Sequence, residues 1–423
     1  MTYLEDDQFR SVSGMDVLWT LAVIAAELLS LSTLVYVACA AHYYFSTAEF
    51  PHGICEPRKL RCLYFGLILL FELDYCLSKL GLCNQCSFLK LIENANFPSK
   101  DARLSIRSLH IAGIPVRFYQ PKASQDTQRG VLFIHGGAGT LGSLVSYERL
   151  CRHISRETDS VVWSIGYSLA PEQSYPVQFQ QCFDVAVHFL KHAEDYGVDP
   201  NRIIISGDSF GGLLAASVCQ MISQRNDIPR LRAQVLIYPF LQSVNYSLPS
   251  YRQNAHVPPL TQRHTVKFAL QYLQKNVSLE QAILDGAHVP REIKMKYRNL
   301  INPDNIPKEF KVRKVKAPKP RPSFGEIRDI IEQLCGPLLS PLLVEDESIQ
   351  QLPETFLLTC QYDVLRDDAI LYKKRLEDNG VAVSWCHLED GFHGFFFLIN
   401  HWLLTFSCCR TGMDTVLNYL RRL

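Results

Sequence analysis

Apolar residues fall along this chain in distinct regimes. From Val17 to Phe45 nearly every position is apolar, broken only by Glu27, His42 and a few small polar residues. A helix of that length crosses a bilayer. A second apolar stretch, Leu63 to Leu73 with Glu72 inside it, is too short to span. It predicts a helix that either lies at a membrane face or covers the active site. Further on, short β-branched runs alternate with amphipathic stretches. Gly130–Ile134, Ser160–Ile165, Ile203–Ile205, Ala233–Tyr238, Glu354–Cys360 and Val381–His387 read as strands, and Val177–Tyr196 reads as a helix stopped by Gly197. Leu109 to Tyr119, with Gly113-Ile114-Pro115 at its centre, suits an antiparallel edge hairpin. The alternation predicts an α/β fold with a mainly parallel central sheet and helices on both faces. Between Phe240 and about Leu352 it lapses into prolines and irregular helices, the mark of an inserted cap. The expected division is therefore 1–45 for tail and anchor, 46–108 for a linker and the N-terminal part of the cap, and 109–423 for the catalytic domain, with the insertion at about 241–352.

The strand Ile203-Ile204-Ile205 breaks into Ser206-Gly207-Asp208-Ser209-Phe210-Gly211-Gly212 just before a helical stretch. Gly-x-Ser-x-Gly at a strand-to-helix turn is the pattern of a nucleophile elbow, which holds the Ser209 hydroxyl out of the sheet. Upstream, Gly130–Ile134 runs into His135-Gly136-Gly137-Ala138-Gly139. Acyl transfer builds negative charge on the carbonyl oxygen, and amides in a loop poor in side chains can approach it closely. The amides of Gly137, Ala138 and Phe210 are the candidate donors; His135, Gly136, Gly207, Asp208 and Gly211 support the two motifs.

An acid and a base must follow the serine in the order Ser, Asp or Glu, His. Asp363 lies on the loop after the strand Glu354–Cys360, whereas Asp367 and Asp368 read as first-turn residues of a helix from Asp368 to Asn379, where carboxylates suit the dipole. With 13 histidines in the chain the base is chosen by position. His387 falls within a strand and His401 within a following apolar helix. His393, between glycines on the loop past the last strand, faces the elbow. The expected set is Ser209 as nucleophile, His393 as base and Asp363 as its orienting acid. This chemistry calls for no cofactor.

The combination resembles the arylacetamide deacetylase family, in the hormone-sensitive-lipase-type branch of the α/β-hydrolases, and its arylacetamide deacetylase-like members in particular. The residues that carry the resemblance are the elbow, His135-Gly136-Gly137, Tyr167-Ser168-Leu169-Ala170-Pro171-Glu172, Asp363-Val364-Leu365-Arg366-Asp367-Asp368 and Gly391-Phe392-His393-Gly394-Phe395, in the family's order. The resemblance covers nearly the whole chain. It implies an α/β-hydrolase fold with a cap and an N-terminal transmembrane anchor, a single pass through the endoplasmic reticulum membrane with a lumenal catalytic domain, and hydrolysis of carboxylic esters or amides of lipophilic substrates. The sequence departs from the family at Ala138, where a third glycine is usual, and at Phe210, where alanine is common. The amide survives a glycine-to-alanine change if φ is negative there. A bulky Phe210 beside the nucleophile narrows the acyl pocket or disturbs the oxyanion geometry. These departures sustain an alternative, a catalytically weak member that binds lipid or acts as a scaffold at the membrane.

Charge adds a conflict. The formal net charge of +1 argues against nucleic acid as a partner, leaving substrate and membrane lipid. The basic run Lys308 to Lys316, followed by Ala317 to Pro322, suggests a solvated loop. Glu5, Asp6, Asp7 and Asp16 precede the span, against Arg10, and Arg58, Lys59 and Arg61 follow it, so positive-inside logic puts the catalytic part in the cytoplasm, opposite to the family. The sequons at Asn245 and Asn276 favour the lumen. Among 14 cysteines, Cys83-Asn84-Gln85-Cys86 is an isolated C-x-x-C; no metal site is expected from it, and a disulfide and two free thiols both stay open.

Overall fold

The structure, a computed structural model, describes residues 14–47, 50–84, 86–94, 101–122, 127–311, 331–401 and 403–423. The chain divides into two units, residues 1–50 and 51–423. The first is, over its described residues, essentially one helix, α1 (Gly14–Thr47), of 34 residues. At 1.5 Å per residue it is about 50 Å long, against about 30 Å for the hydrocarbon core of a bilayer. Glu5, Asp6, Asp7 and Arg10 of the expected flank lie outside the described residues, as do Val312 to Pro322 of the basic and proline-rich run and Trp402.

In the second unit the apolar runs form an eight-stranded sheet in the order β1-β2-β4-β3-β5-β6-β7-β8. The strands are β1 (Leu104–Ile111), β2 (Ile114–Pro121), β3 (Gln128–Ile134), β4 (Ser160–Ile165), β5 (Val198–Asp208), β6 (Ala233–Ile237), β7 (Glu354–Tyr362) and β8 (Val383–Phe392). The hairpin β1–β2 is antiparallel and pairs antiparallel with β4, while β4, β3, β5, β6, β7 and β8 run parallel. β3, β4 and β6 are buried at every position because helices cover both faces, so they read as mainly apolar runs, with Arg129, Ser164 and Gln234 buried among them, rather than alternating ones. The sheet begins at Leu104, and the first unit extends to Phe50.

The helices before the cap are α2 (Pro57–Lys79), α3 (Ser87–Asn94), α4 (Glu148–Thr158), α5 (Val177–Lys191) and α6 (Phe210–Ser223). The expected helix to Tyr196 ends earlier, at Lys191, and tightens to a 3-10 turn over Ala193–Tyr196, closed by Gly197 at φ 71°. The apolar stretch 63–73 is the middle of a 23-residue helix. Between β6 and β7 the chain enters the cap, which contains α7 (Pro249–Gln253) and α8 (Gln262–Tyr272). α2 lies against α8, with Tyr64 on His264 and Phe71 on Phe268, each pair at 6.5 Å between ring centroids. Within this unit the stretch therefore packs on the cap.

Candidate active site

Parallel strands deliver their following turns to one edge of the sheet, and Ser209, Asp363, His393 and the loop 135–138 all stand there. Ser209 follows β5 and opens α6 at φ 54°, ψ −118°. A non-glycine residue there stores about 1–3 kcal/mol of strain. The neighbours hold it: Ser209 N–H donates to the Ile237 carbonyl at 2.9 Å, and the Ser209 carbonyl accepts from Leu213 N–H at 3.2 Å. The elbow glycines are fixed by close approach. A Cβ on Gly207 would fall on the Gly211 carbonyl, and one on Gly211 would fall on the Ile134 carbonyl. β8 runs past the expected end at His387 as far as Phe392, so His393 is the first residue beyond it. His393 Nε2 stands 2.8 Å from Ser209 Oγ, and its Nδ1 stands 2.8 Å from Asp363 Oδ2. With the proton on Nδ1, that N–H donates to Asp363 and Nε2 accepts from the serine hydroxyl. Asp363 is 1 % exposed, and its other oxygen accepts from Leu365 N–H at 2.8 Å.

The loop after β3 is adjacent because β3 and β5 are neighbours in the sheet. Among the described residues the amides of Gly137, Ala138 and Phe210 have no hydrogen-bond acceptor, as oxyanion donors require. Gly137 has φ 108°, and a Cβ there would strike the Leu141 carbonyl. Ala138 has φ 57°. The negative φ that would make this alanine harmless is therefore not met: the position is left-handed, and its methyl group is held with about 1–2 kcal/mol of strain. Asp208, buried under the loop, accepts from Gly136 N–H at 2.9 Å, from Tyr147 Oη at 3.0 Å and from Tyr238 Oη at 3.4 Å. Burial outweighs these donors and pushes its carboxyl up to about 6. Burial also lowers the His135 imidazole to about 4, so it is neutral, stacked on Tyr167 at 4.3 Å. α3 braces the far end of the loop, where Gly142 N–H donates to Glu93 Oε2 at 3.0 Å and Ser143 Oγ donates to Asn94 Oδ1 at 2.7 Å.

A cavity of about 60 Å³ opens beside Ser209, lined by Ala138, Phe210, Phe268, Tyr272, Leu273 and Leu339 among others. Phe210 is 6 % exposed and meets Tyr272 edge-on at 4.8 Å, closing the cavity between the elbow and α8. Gly139 tolerates this only without a side chain, since a Cβ there would come within 3.0 Å of the Phe210 ring.

An α/β-hydrolase fold family matches residues 131–289 and 329–397. Human arylacetamide deacetylase-like 4 is 41% identical over 96% of this chain and 100% of its own length, and rabbit arylacetamide deacetylase is 37% identical over 85% and 92%. The chain belongs to the arylacetamide deacetylase-like family. Among solved structures, a thermostable carboxylesterase cloned from a metagenomic library is 25% identical with a TM-score of 0.60, covering 81% of this chain and 96% of its own. These likenesses support a hydrolase of the ester or amide type.

Other residues of this arylacetamide deacetylase-like chain fall differently from expectation. Asp367 and Asp368 do stand in the first turn of a helix, Arg366–Asp378, but both are fully buried. Asp367 pairs with buried Arg366 at 2.9 Å and accepts from Ser250 N–H at 2.7 Å. Asp368 accepts from Gln242 Nε2 at 2.9 Å and Tyr251 Oη at 3.0 Å, and burial raises its carboxyl well above the ordinary range. They fasten the base of the cap to the strand end that carries Asp363, a role that dipole reasoning misses. His401 is not helical; among the described residues between His393 and the C-terminal helix Ser407–Arg422 the chain forms a 3-10 turn, Phe395–Leu398. Cys83 and Cys86 are free thiols. Asn276 is exposed, whereas Asn245 is half-buried with its Oδ1 bonded to Ser247 Oγ at 2.8 Å. Sequence reasoning also missed Tyr147, Tyr238 and Asn254, whose Nδ2 donates to the Asp363 carbonyl at 3.0 Å. No motif singles them out.

Proposed function

We propose that the chain is a membrane-anchored serine hydrolase cleaving carboxylic esters or amides of lipophilic substrates through an acyl-enzyme. The observation that carries this reading is the pair of 2.8 Å contacts linking Ser209, His393 and Asp363 beside loop amides with no partner among the described residues. Ser209 Oγ attacks the substrate carbonyl carbon while His393 Nε2 takes its proton. The oxyanion is held by the amides of Gly137, Ala138 and Phe210. His393 returns the proton to the departing alcohol or amine, leaving acyl-Ser209. Water, deprotonated by His393, then releases the acid and restores the serine. Asp363 keeps the imidazole in the tautomer with Nδ1–H and stabilises the imidazolium.

The apolar lining beside the serine favours neutral lipophilic substrates. The relatives named arylacetamide deacetylase support the same class. α1 serves as a single-pass anchor in the endoplasmic reticulum membrane with the catalytic unit in the lumen, supported by its apolar span and by exposed Asn276.

A fluorophosphonate probe tests the chemistry without knowledge of the substrate. Wild type is expected to be labelled at Ser209, and Ser209→Ala to remain folded and unlabelled. An unlabelled wild type, beside a labelled esterase control, favours the lipid-binding alternative. Protease digestion of sealed microsomes tests orientation: degradation of the catalytic unit without detergent puts it in the cytoplasm.

A further inference from the structure

The segment Pro51 to Glu56, which leads into α2, rides on the strand ends that carry the proposed acid and base. Cys55 N–H donates to the Asp390 carbonyl at 2.9 Å, near the end of β8, and Tyr362 Oη, next to Asp363, donates to the His52 carbonyl at 2.6 Å. The first turn of the C-terminal helix, Ser407–Arg422, closes over it. Ser407 N–H donates to Glu56 Oε1 at 2.8 Å, and Lys59 Nζ donates to the Thr405 carbonyl at 2.5 Å.

Inside this clasp two thiols meet. Cys55 Sγ accepts from Cys408 N–H at 3.4 Å and lies 3.0 Å from Ser407 Oγ. Cys55 thus sits on the N-terminus of a 16-residue helix, where free amides favour an anion. The hydrogen bond from Cys408, followed by that from Ser407, brings the Cys55 thiol down to about 6 against burial, while the Cys408 thiol is raised. The amide of Cys408 and the hydroxyl of Ser407 favour the anion at Cys55 over Cys408, the asymmetry of a dithiol that undergoes exchange. Both are nearly covered, but His52, Gly53 and Glu56 around them are exposed, so lifting this short surface segment gives access.

We propose that Cys55 and Cys408 are a redox-active pair that reacts with small disulfides of the glutathione type and closes a disulfide stapling the root of α2 to the C-terminal helix. The Cys55 thiolate attacks one sulfur of oxidised glutathione and expels a glutathione thiolate. Cys408 then attacks Cys55 Sγ, expels the second glutathione thiolate and passes its proton to it. One protein thiolate and one thiol are oxidised to a disulfide, and one glutathione disulfide is reduced to one thiolate and one thiol.

The test uses the full chain in detergent, incubated with oxidised glutathione, acid-quenched, alkylated while denatured and mapped by mass spectrometry. A Cys55–Cys408 peptide is expected, with a rise in melting temperature reversed by dithiothreitol. Cys408→Ala should stop at a glutathione adduct on Cys55, and Ser209→Ala should form the same link as wild type, separating this result from the hydrolase reading. Wild type with both cysteines still alkylated, or with Cys55 joined to another cysteine, overturns the proposal, and that result needs no variant to fold.

Discussion

Replacing Phe210 with alanine isolates what the departure beside the nucleophile does. The ring is almost wholly buried between Tyr272, Phe179 and Gly139, and it walls a cavity of about 60 Å³ at Ser209. Truncating a buried phenylalanine costs about 3–5 kcal/mol, and the lower end applies because one side of the ring already borders empty space. That is a large share of the ~5–15 kcal/mol that holds a domain together, so melting must be measured alongside activity. The amide of residue 210 is retained, so the oxyanion contact persists. The vacated space then accepts acyl carbons that wild type excludes. Each methylene moved from water into an apolar slot is worth about 0.8 kcal/mol, or about fourfold in kcat/KM. For butanoyl against acetyl esters, two methylenes longer, the ratio of kcat/KM should rise about 15-fold over wild type. Nitrophenyl acetate, butanoate and octanoate assayed on folded protein at one temperature provide the measurement. An unchanged ratio in a variant that still melts cooperatively refutes the reasoning and assigns acyl selectivity to the cap.

Ala138→Gly should relieve the left-handed strain while adding about 0.5–1 kcal/mol of chain entropy, leaving stability nearly unchanged and kcat/KM equal or higher; a loss beyond tenfold would show that the methyl group itself positions substrate. Asp363→Asn should lower kcat by about 10⁴-fold by disturbing the imidazole tautomer, with no further loss when combined with His393→Ala, whereas Asp368→Asn should stay within tenfold because an amide replaces a carboxyl that burial already favours as neutral. Steady-state kinetics on the three variants and the double variant check this, and comparable losses at 363 and 368 would contradict it. Asp208 holds its proton more tightly folded than unfolded, so the stability it contributes is full below about 4 and falls as pH climbs through about 6, by about 3 kcal/mol in all. Relative to wild type, Asp208→Asn should therefore gain stability between about pH 4 and pH 8 in denaturant titrations, and a parallel pH dependence would remove the assignment.

Much of the site was legible in the sequence because its parts obey local rules. Gly207 and Gly211 flank Ser209 because backbone packs where their side chains would be, and that constraint writes a short pattern into the chain. Asp363 and His393 are legible as strand-end residues, since parallel pairing leaves the ends of β5, β7 and β8 on one edge of the sheet. Their mutual distances were not in the sequence, because 154 residues separate Ser209 from Asp363 and only the sheet order closes that gap. Tertiary structure alone decided the sign of φ at Ala138, which depends on the turn that Gly137 and Leu141 make around it, and the direction of Phe210, which depends on where the cap sets Tyr272. It also turned Asp367 and Asp368 from helix-start carboxylates into buried fasteners of the cap, and brought Cys55 onto Cys408 across 353 positions. Periodicity and turn chemistry act over a few residues and so are readable in one dimension. Burial, charge pairing and cavity shape are set by segments distant in the chain, and these become definite only when the sheet and cap are assembled.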